Sequence, residues 1–475
     1  MRKILLFILI FGFFVQQNAS GQCTLPAGKF ATAAFATGGS SIYKNNVLWL
    51  TWGAQAATDT YGKHNQTLAN GSSSYASINM GGGRYLCIQA TISNLVGLIN
   101  SYAPGNYSGD SMDDMYNIGG TGTNNKLVSG IRNTTDAASV SFTLTCKATI
   151  DGVPVRLNGM VLGDAESLAA GENFTATASG TWSIVDLKKN TSVTGAYEVR
   201  KDNLTGNKQK LSFLRGNDNN TGAVAFLTFN EQAFQGTDLS VSFDVTLKGG
   251  GLTAISLGLL PPAIDGGDAP ESYGTPLHMI DALNVKYDNI PVNTVVNLNT
   301  TSYQVGGLEA PVSGFLGTTG PDADNKPLYS KDAMGDNNDG IAGVNEEDAW
   351  PAQYKSFSYK LYYNPNQTIT VAIPYKAYRD GYIAGWIDFN QNGVFEASER
   401  AVATATASGT SVNLTWTVPA NRVIRSTYVR LRYGYNLNEL QLPTGSAVGG
   451  EVEDHKIFIQ GSAITNPMLP NKGKK

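Results

Sequence analysis

Alternation of apolar and polar residues is the feature that most restricts how this chain can fold. From Ser139 to Ile150 every second residue is apolar, and the same pattern precedes the glycines at 249–251. A period of two places successive side chains on opposite faces of a strand, so each such segment has one face buried in a sheet. The pattern recurs further along the chain, in residues 369–375, 412–418 and 429–433.

The composition agrees with a protein made of sheets. Only 15% of the residues are charged, and 53 of the 475 residues are glycine. Such sequences favour strands joined by turns over charged helices. Helical periodicity is weak, and Ser93–Tyr102 is the best candidate for one short helix. The sequence therefore predicts an all-β protein, with β-sandwiches as the favoured architecture.

Residues 1–21 have the pattern of a signal peptide. Arg2 and Lys3 precede an unbroken apolar run from Ile4 to Val15, and Ala19-Ser20-Gly21 supplies the small residues that a signal peptidase needs. The run is too short to cross a hydrocarbon core of about 30 Å. We therefore expect a secreted or bacterial cell-surface protein, with no transmembrane segment in the mature chain.

Composition also divides the mature chain. Residues 23–262 are nearly neutral and rich in Gly, Ser, Thr and Asn, whereas residues 263–350 contain fourteen acidic and three basic residues. Strand alternation resumes over 351–461, and residues 462–475 form a basic tail. The net charge of -4 argues against nucleic acid and anionic lipid as partners.

Three cysteines cannot all pair within one chain. Cys87 and Cys146 both lie in apolar runs, and Cys23 is near the predicted cleavage site. Two interpretations follow: a Cys87–Cys146 disulfide, or two buried free thiols that pack as small hydrophobic groups. No cysteine spacing indicates a zinc site, and the three histidines are scattered, at His64, His278 and His455.

The strongest chemical motif is residues 388–399, which fit the twelve-residue calcium loop D-x-[DN]-x-[DN]-G followed by five residues and a glutamate. A strand, Gly381–Ile387, enters the loop in place of a helix, so we expect a structural Ca²⁺ site. The alternative is an Asx-rich hairpin turn without metal. Four residues would supply side-chain oxygens as ligands: Asp388, Asn390, Asn392 and Glu399. Val394 would supply its backbone carbonyl.

Two further clusters have the residue types of ligands but no fixed spacing. The first is either a second metal site or a solvated acidic loop, and its candidate ligands are Asp322, Asp324, Asp336, Asn338 and Glu347. The second cluster precedes the terminal strand and contains Glu451, Glu453 and Asp454. These carboxylates either join the calcium shell from a neighbouring strand or pair with Arg430 and Arg432 across the sheet.

These motifs resemble a known domain. The region from Asp265 to Gln460 resembles the GEVED domain of bacterial secreted and surface proteins. The motifs that carry the resemblance are Gly267–Thr275, the Gly-Asp-Asn-Asn-Asp-Gly stretch at 335–340, Trp386 with the Asp388 loop, Arg430-Leu431-Arg432 and Gly450–Asp454.

The region from about Ala31 to Leu260 resembles the lectin-like, non-repetitive domain of CshA-type surface adhesins, through Phe35–Ser41 and Tyr43–Gly53. The resemblance implies a jelly-roll or lectin-like sandwich that binds glycoproteins such as fibronectin. An acidic, loop-rich segment would join it to a second, Ig-like sandwich. Trp49 and Trp52 could be core residues or a platform for sugars, and we expect core residues.

These observations predict a calcium-stabilised, non-enzymatic surface adhesin or ligand-binding protein whose partner is an extracellular glycoprotein or glycan. No G-x-S-x-G or H-E-x-x-H motif occurs. One alternative is an exported polysaccharide-degrading enzyme, because a pair of carboxylates is sufficient for a glycosidase. The other is a structural surface-layer component without a specific ligand.

Overall fold

The structure is a computed structural model. It describes residues 23–24, 30–56, 58–81, 83–104, 112–116, 127–166, 168–189, 192, 195–216, 221–280, 284–288, 290–309, 314–321, 323–324, 328–335, 346–355 and 362–461. The predicted signal peptide, 1–21, and the basic tail, 462–475, lie outside the described residues. None of the helices in the described ranges reaches the length and hydrophobicity of a membrane-spanning segment.

The amino-terminal part is a sandwich of strands with one short α-helix. Its elements are β1 (Phe30–Thr32), β2 (Ala34–Phe35), β3 (Leu48–Trp49), β4 (Thr58–Thr60), β5 (Thr67–Leu68), β6 (Ser73–Gly81), β7 (Arg84–Val96), β8 (Ile99–Tyr102), α1 (Met112–Tyr116), β9 (Gly130–Asn133), β10 (Ser139–Ile150), β11 (Val153–Val155), β12 (Gly159–Asp164), β13 (Asn173–Lys188), β14 (Glu198–Leu204), β15 (Lys208–Arg215), β16 (Gly222–Phe229), β17 (Val241–Lys248) and β18 (Ala254–Leu260).

Two sheets form this sandwich, and one strand belongs to both. In the first sheet β10 lies between β7 and β17; in the second, β12 lies between β16 and β18. The first half of β13 pairs with β15 and β17, and its second half pairs with β16. Gly180 is at the change of sheet, with φ +153°, and a Cβ there would lie 2.2 Å from the carbonyl oxygen of Thr228. Only glycine fits this close approach.

The apolar faces of the two sheets form one core. Alternating residues of β10, such as Phe142 and Leu144, pack in the same cluster as Met160 and Leu162 of β12. Trp52 belongs to this core. Trp49 belongs to a second cluster on the outer side of the second sheet, where α1 packs. Both tryptophans are completely buried, so their predicted role as core residues is confirmed.

The predicted helix at Ser93–Tyr102 is wrong. These residues form the end of β7 and all of β8, with a turn at Gly97, where φ is +87°. β7 pairs with β10, and β8 pairs with β5 and β9. Because the segment is short, its periodicity did not distinguish a helix from a strand. Pairing with distant strands stabilises the strand conformation here.

The disulfide joins Cys23 to Cys87, and Cys146 is a buried free thiol. Both interpretations of Cys87 were therefore wrong, while the expectation of a buried thiol holds for Cys146. In the β7–β10 pair Cys87 lies opposite Thr149, so both project from one face of the sheet. Cys146 projects from the other face, into the core. Two cysteines on opposite faces cannot form a disulfide.

Removal of this disulfide in the double variant Cys23→Ser/Cys87→Ser should lower the free energy of unfolding by about 2–4 kcal/mol, because the bond joins cysteines 64 residues apart. Urea denaturation measures the difference. As a check on the pairing, the folded, unreduced protein should react with a thiol-alkylating reagent only after unfolding, and then at Cys146 alone. Alkylation at Cys87 without reduction would contradict the pairing.

The later elements form a second sandwich and the segment before it. The strands are β19 (Ile264–Gly266), β20 (Pro276–Met279), β21 (Asn284–Tyr287), β22 (Val295–Asn297), β23 (Gly307–Glu309), β24 (Gly314–Leu316), β25 (Thr368–Ala377), β26 (Gly381–Ile387), β27 (Arg400–Ala405), β28 (Ser411–Thr417), β29 (Ser426–Gly434), β30 (Gly445–Val448) and β31 (Glu451–Phe458). Short 3₁₀ helices in the whole described chain are Glu231–Ala233, Glu271–Tyr273, Ala352–Tyr354, Ala397–Glu399 and Leu437–Leu440.

The second sandwich packs a four-stranded antiparallel sheet, β27-β26-β29-β31, against a three-stranded sheet, β24-β25-β28. Its core is made by alternating residues of these strands, among them Val371, Ile383, Leu431 and Trp416. The predicted all-β, multidomain fold is confirmed.

Strands from the acidic segment take part in both sandwiches. β22 pairs with β14 of the first sandwich, and β24 pairs with β25 of the second. β19 and β20 form a small sheet with β30. The segment 263–350 is therefore more structured than a loop-rich linker, although the domain boundaries themselves stay a prediction.

Candidate metal sites in the carboxyl-terminal sandwich

The predicted calcium loop connects β26 to β27. Asp388 follows β26 directly, and the loop ends in the 3₁₀ helix Ala397–Glu399. The tight turn uses left-handed backbone at Gln391, with φ +57°, and at Gly393, with φ +84°. Strands flank the loop on both sides, as the sequence indicated.

Asp388 has one carboxylate oxygen with partners and one without. The side chain is completely buried. Oδ2 accepts hydrogen bonds from the hydroxyl of Tyr273 at 2.7 Å and from the backbone N–H of Gly393 at 3.1 Å. Oδ1 is buried and has no hydrogen-bond partner. A buried carboxylate oxygen without a partner is costly, and a cation would compensate it, so Asp388 fits a metal ligand.

The remaining ligand candidates organise the loop. The amide oxygens of Asn390 and Asn392 accept the backbone N–H groups of Asn392 and Val394, at 2.9 and 3.0 Å. The carboxylate of Glu399 is buried and accepts the N–H groups of Phe389 and Glu396, at 2.8 and 3.0 Å. Burial raises the pKa of Glu399 to about 7 despite these two hydrogen bonds. The side chain of Val394 is exposed.

The first acidic cluster falls mostly on residues that the structure does not cover. Asp322, Asp336 and Asn338 lie outside the described residues. Asp324 accepts the backbone N–H of Gly266 at 2.8 Å, which places it beside β19. Glu347 lies elsewhere, close to Glu453 and His455 of β31.

The second acidic cluster is divided between the two faces of β31. Asp454 lies opposite Arg430 of β29, whereas Glu453 lies opposite Leu431. Because side chains alternate along a strand, Glu451, Glu453 and His455 project toward the sandwich core and Asp454 projects to the other face. All four side chains are buried.

On the outer face, Arg430 and Asp454 form a buried bidentate ion pair. Nε and Nη2 of the arginine donate to Oδ1 and Oδ2, at 2.8 and 2.7 Å. Nη1 donates to the carbonyls of Tyr273, Gly274 and Pro443, and Asp454 also accepts the N–H of Ala269. This network attaches the Gly267–Thr275 motif to the four-stranded sheet.

Arg432, the other predicted partner, has no ion pair with the cluster. It donates to Nε2 of His278 at 3.0 Å and to the carbonyls of Leu442, Thr444 and Gly445. Burial and the charge of Arg432 lower the pKa of His278, so its Nε2 is free to accept a hydrogen bond. Backbone dipoles thus compensate the charge of Arg432.

On the inner face, two glutamates hold neighbouring backbone segments. Oε2 of Glu451 accepts the N–H of Leu316 at 2.6 Å, and Oε2 of Glu453 accepts the N–H of Ala349 at 2.8 Å. In each side chain Oε1 is buried and has no hydrogen-bond partner. Burial raises the pKa of both carboxyl groups.

Comparison with known families found a match in each sandwich. Residues 45–260 match the model for the surface adhesin CshA non-repetitive domain 2, and residues 382–458 match the GEVED domain. Both resemblances are confirmed. The GEVED match contains the Asp388 loop and β31. The Gly267–Thr275 motif precedes it but contacts it through Arg430.

Other comparisons are less informative. The N-terminal domain of the Streptococcus gordonii adhesin Sgo0707 aligns over 91% of this chain and 94% of its own, with 9% sequence identity and a TM-score of 0.28. That score is too low to establish a common fold. A comparison with curated protein sequences found no match. The adhesin family match supports a surface adhesin. It favours a binding role over an enzymatic role.

Sequence reasoning missed His455 as a candidate ligand. It treated the histidines as scattered, yet His455 lies two positions after Glu453 and four after Glu451. The period of two within β31 places all three on one face, so the alternation itself was the available signal.

Asp454→Asn should destabilise the protein by about 3–5 kcal/mol, because it leaves the buried guanidinium of Arg430 without its counter-charge. Chemical denaturation measures the loss. The matched control is Glu231→Gln, which removes the exposed ion pair between Arg156 and Glu231 and should cost less than about 1 kcal/mol. Equal effects of the two substitutions would show that the buried pair has no special role.

Proposed function

We propose that the protein is an exported, calcium-stabilised cell-surface adhesin that binds an extracellular glycoprotein or glycan through its amino-terminal sandwich. The observation that carries the proposal is the adhesin-family match over 45–260, which spans almost the whole of that sandwich. The carboxyl-terminal sandwich has the chemistry of a metal-stabilised support.

The geometry of the Asp388 loop supports the calcium part of the proposal. Asp388 and Glu399 are both buried, and their charges lie close enough for Asp388 to raise the pKa of Glu399. Asp388 Oδ1 is in addition without a hydrogen bond. Calcium prefers carboxylate, amide and carbonyl oxygens, and when bound it would neutralise these charges and join the two ends of the loop.

The disulfide supports export. Cys23 and Cys87 are bonded, and such bonds persist mainly in oxidising compartments outside the cytosol. This agrees with a secreted or surface location for the mature chain.

The enzymatic alternative has less support. A glycosidase needs two carboxylates that flank the sugar in an accessible site. The clustered carboxylates Glu451, Glu453 and Glu399 are instead almost completely buried, and their oxygens accept backbone N–H groups. Their arrangement suits a structural role.

Millimolar calcium should raise the melting temperature above that measured in chelator, since a ligand at about 100 times its Kd stabilises the native state by about 2.7 kcal/mol. The double variant Asp388→Asn/Glu399→Gln should lose most of this response. Tyr273→Phe is the matched control: it removes a hydrogen bond to Asp388 but no proposed ligand, so the calcium response should remain. If the double variant responds like the parent protein, calcium binds elsewhere.

Immobilised protein covering residues 23–461 should bind a subset of an array of glycans and matrix glycoproteins. Hydrogen exchange with the bound ligand should then show protection within residues 30–260, because that sandwich carries the adhesin match. Uniform absence of binding, or protection confined to 362–461, would refute the assignment of the binding surface. Release of shortened polysaccharide chains from the same array would instead support the enzymatic alternative.

A further inference from the structure

Three side chains with metal-binding groups meet on the inner face of β31. Glu347 approaches from the segment before the 3₁₀ helix Ala352–Tyr354, and Glu453 and His455 come from the strand itself. One potential ligand atom from each residue lies within 4.8 Å of the other two. Each of the three residues is at most 2% exposed. A buried group of this kind is not a solvated surface cluster.

The hydrogen bonds of His455 leave one ring nitrogen unused. Nε2 lies 2.8 Å from Oε2 of Glu453, and the backbone N–H of Trp350 also approaches it, at 3.3 Å. Nδ1 is buried and has no hydrogen-bond partner, while Oε2 of Glu347 lies 3.8 Å away. Nδ1 therefore faces a carboxylate oxygen of Glu347 at a separation that two ligands of one metal ion can have.

Glu453 likewise has one side-chain atom without a hydrogen-bond partner. Its Oε2 is held by the N–H of Ala349 and by His455, but Oε1 is buried and without a hydrogen-bond partner. Lys355 is the nearby cation that the structure places here, and its Nζ donates to the backbone carbonyl of Glu347 at 3.2 Å. That contact gives a hydrogen bond neither to Oε1 of Glu453 nor to Nδ1 of His455.

We propose that Glu347, Glu453 and His455 bind a divalent transition-metal ion, with zinc as the best match to the ligand set. The ion would receive an imidazole nitrogen and carboxylate oxygens. This mixed set differs from the all-oxygen set of the Asp388 loop: imidazole and carboxylate suit zinc, whereas calcium prefers oxygen alone.

The protonation state of His455 agrees with this chemistry. Burial, with the charge of Lys355, lowers the pKa of His455, so the imidazole is neutral. Only the neutral ring has a lone pair for a metal.

A metal at this position would join two parts of the second sandwich. Glu347 is followed closely by Trp350, whose ring contacts that of Trp416 in the core, with 6.0 Å between centroids. The ion would hold this segment against β31 at Glu453 and His455. The inference is independent of adhesion and of calcium at the Asp388 loop.

The test uses the whole mature chain, stripped of metal by chelation and dialysis. Zinc titration followed by calorimetry should show one tight site, and zinc should raise the melting temperature in the presence of calcium. His455→Gln should weaken zinc binding at least about 100-fold, since it removes a direct ligand. The matched control is His278→Gln, a buried histidine on the opposite side of the sheet, which should bind zinc like the parent protein.

A second measurement does not depend on variants that fold. Anomalous diffraction from zinc-loaded crystals at the zinc edge should show a peak among Glu347, Glu453 and His455. A peak there together with loss of binding in His455→Gln supports the site. No peak at these residues under saturating zinc, or calcium as the ion found there, overturns the proposal.

Discussion

Charge removed from water must be compensated, and this constraint shapes the carboxyl-terminal sandwich around one strand. β31 buries carboxylates on both faces, although an isolated buried charge is highly unfavourable. The buried negative charge is compensated by different groups on the two faces. Arg430 neutralises Asp454 on the outer face, whereas backbone N–H groups approach Glu451 and Glu453 on the inner face. The strand consequently becomes the attachment point for segments distant in sequence.

The same constraint explains the residue order of the Gly450–Asp454 motif. Alternation sends Glu451 and Glu453 inward and Asp454 outward, so one short run of acids serves two faces. The glycine before it is equally specific. Gly450 has φ +79°, and a Cβ there would lie 2.0 Å from the carbonyl oxygen of Tyr433. The motif is therefore a structural unit, with acids that hold neighbouring segments and a glycine that permits close strand contact.

The amino-terminal sandwich depends on ordinary apolar burial. Its core is one large apolar cluster between two sheets that share β13, and among the described residues it buries fewer charged side chains than the second sandwich, namely Asp164, Glu172 and Lys201. This difference suits a division of roles. An adhesin domain needs a stable scaffold whose loops face a ligand, whereas calcium, under the proposed function, would stabilise the acidic sandwich.

Much of the fold was predictable because strand alternation is a local property. The alternating segment at Ser139–Ile150 is β10 over the same residues, and the strand expected to enter the calcium loop is β26. The Asp388 loop was likewise recognisable as a motif, since its predicted ligands lie within twelve residues. The short segment Ser93–Tyr102 was not, because its structure depends on strands far along the chain.

The sequence by itself determined the strand-forming segments, the spacing of the predicted calcium loop and the acidic character of residues 450–454. Tertiary structure alone decided which faces and partners those residues received. It placed Cys87 beside Cys23 and away from Cys146, and it brought Glu347 to His455. The physical reason is that alternation specifies two faces for a strand, but the packing of distant segments decides what covers each face.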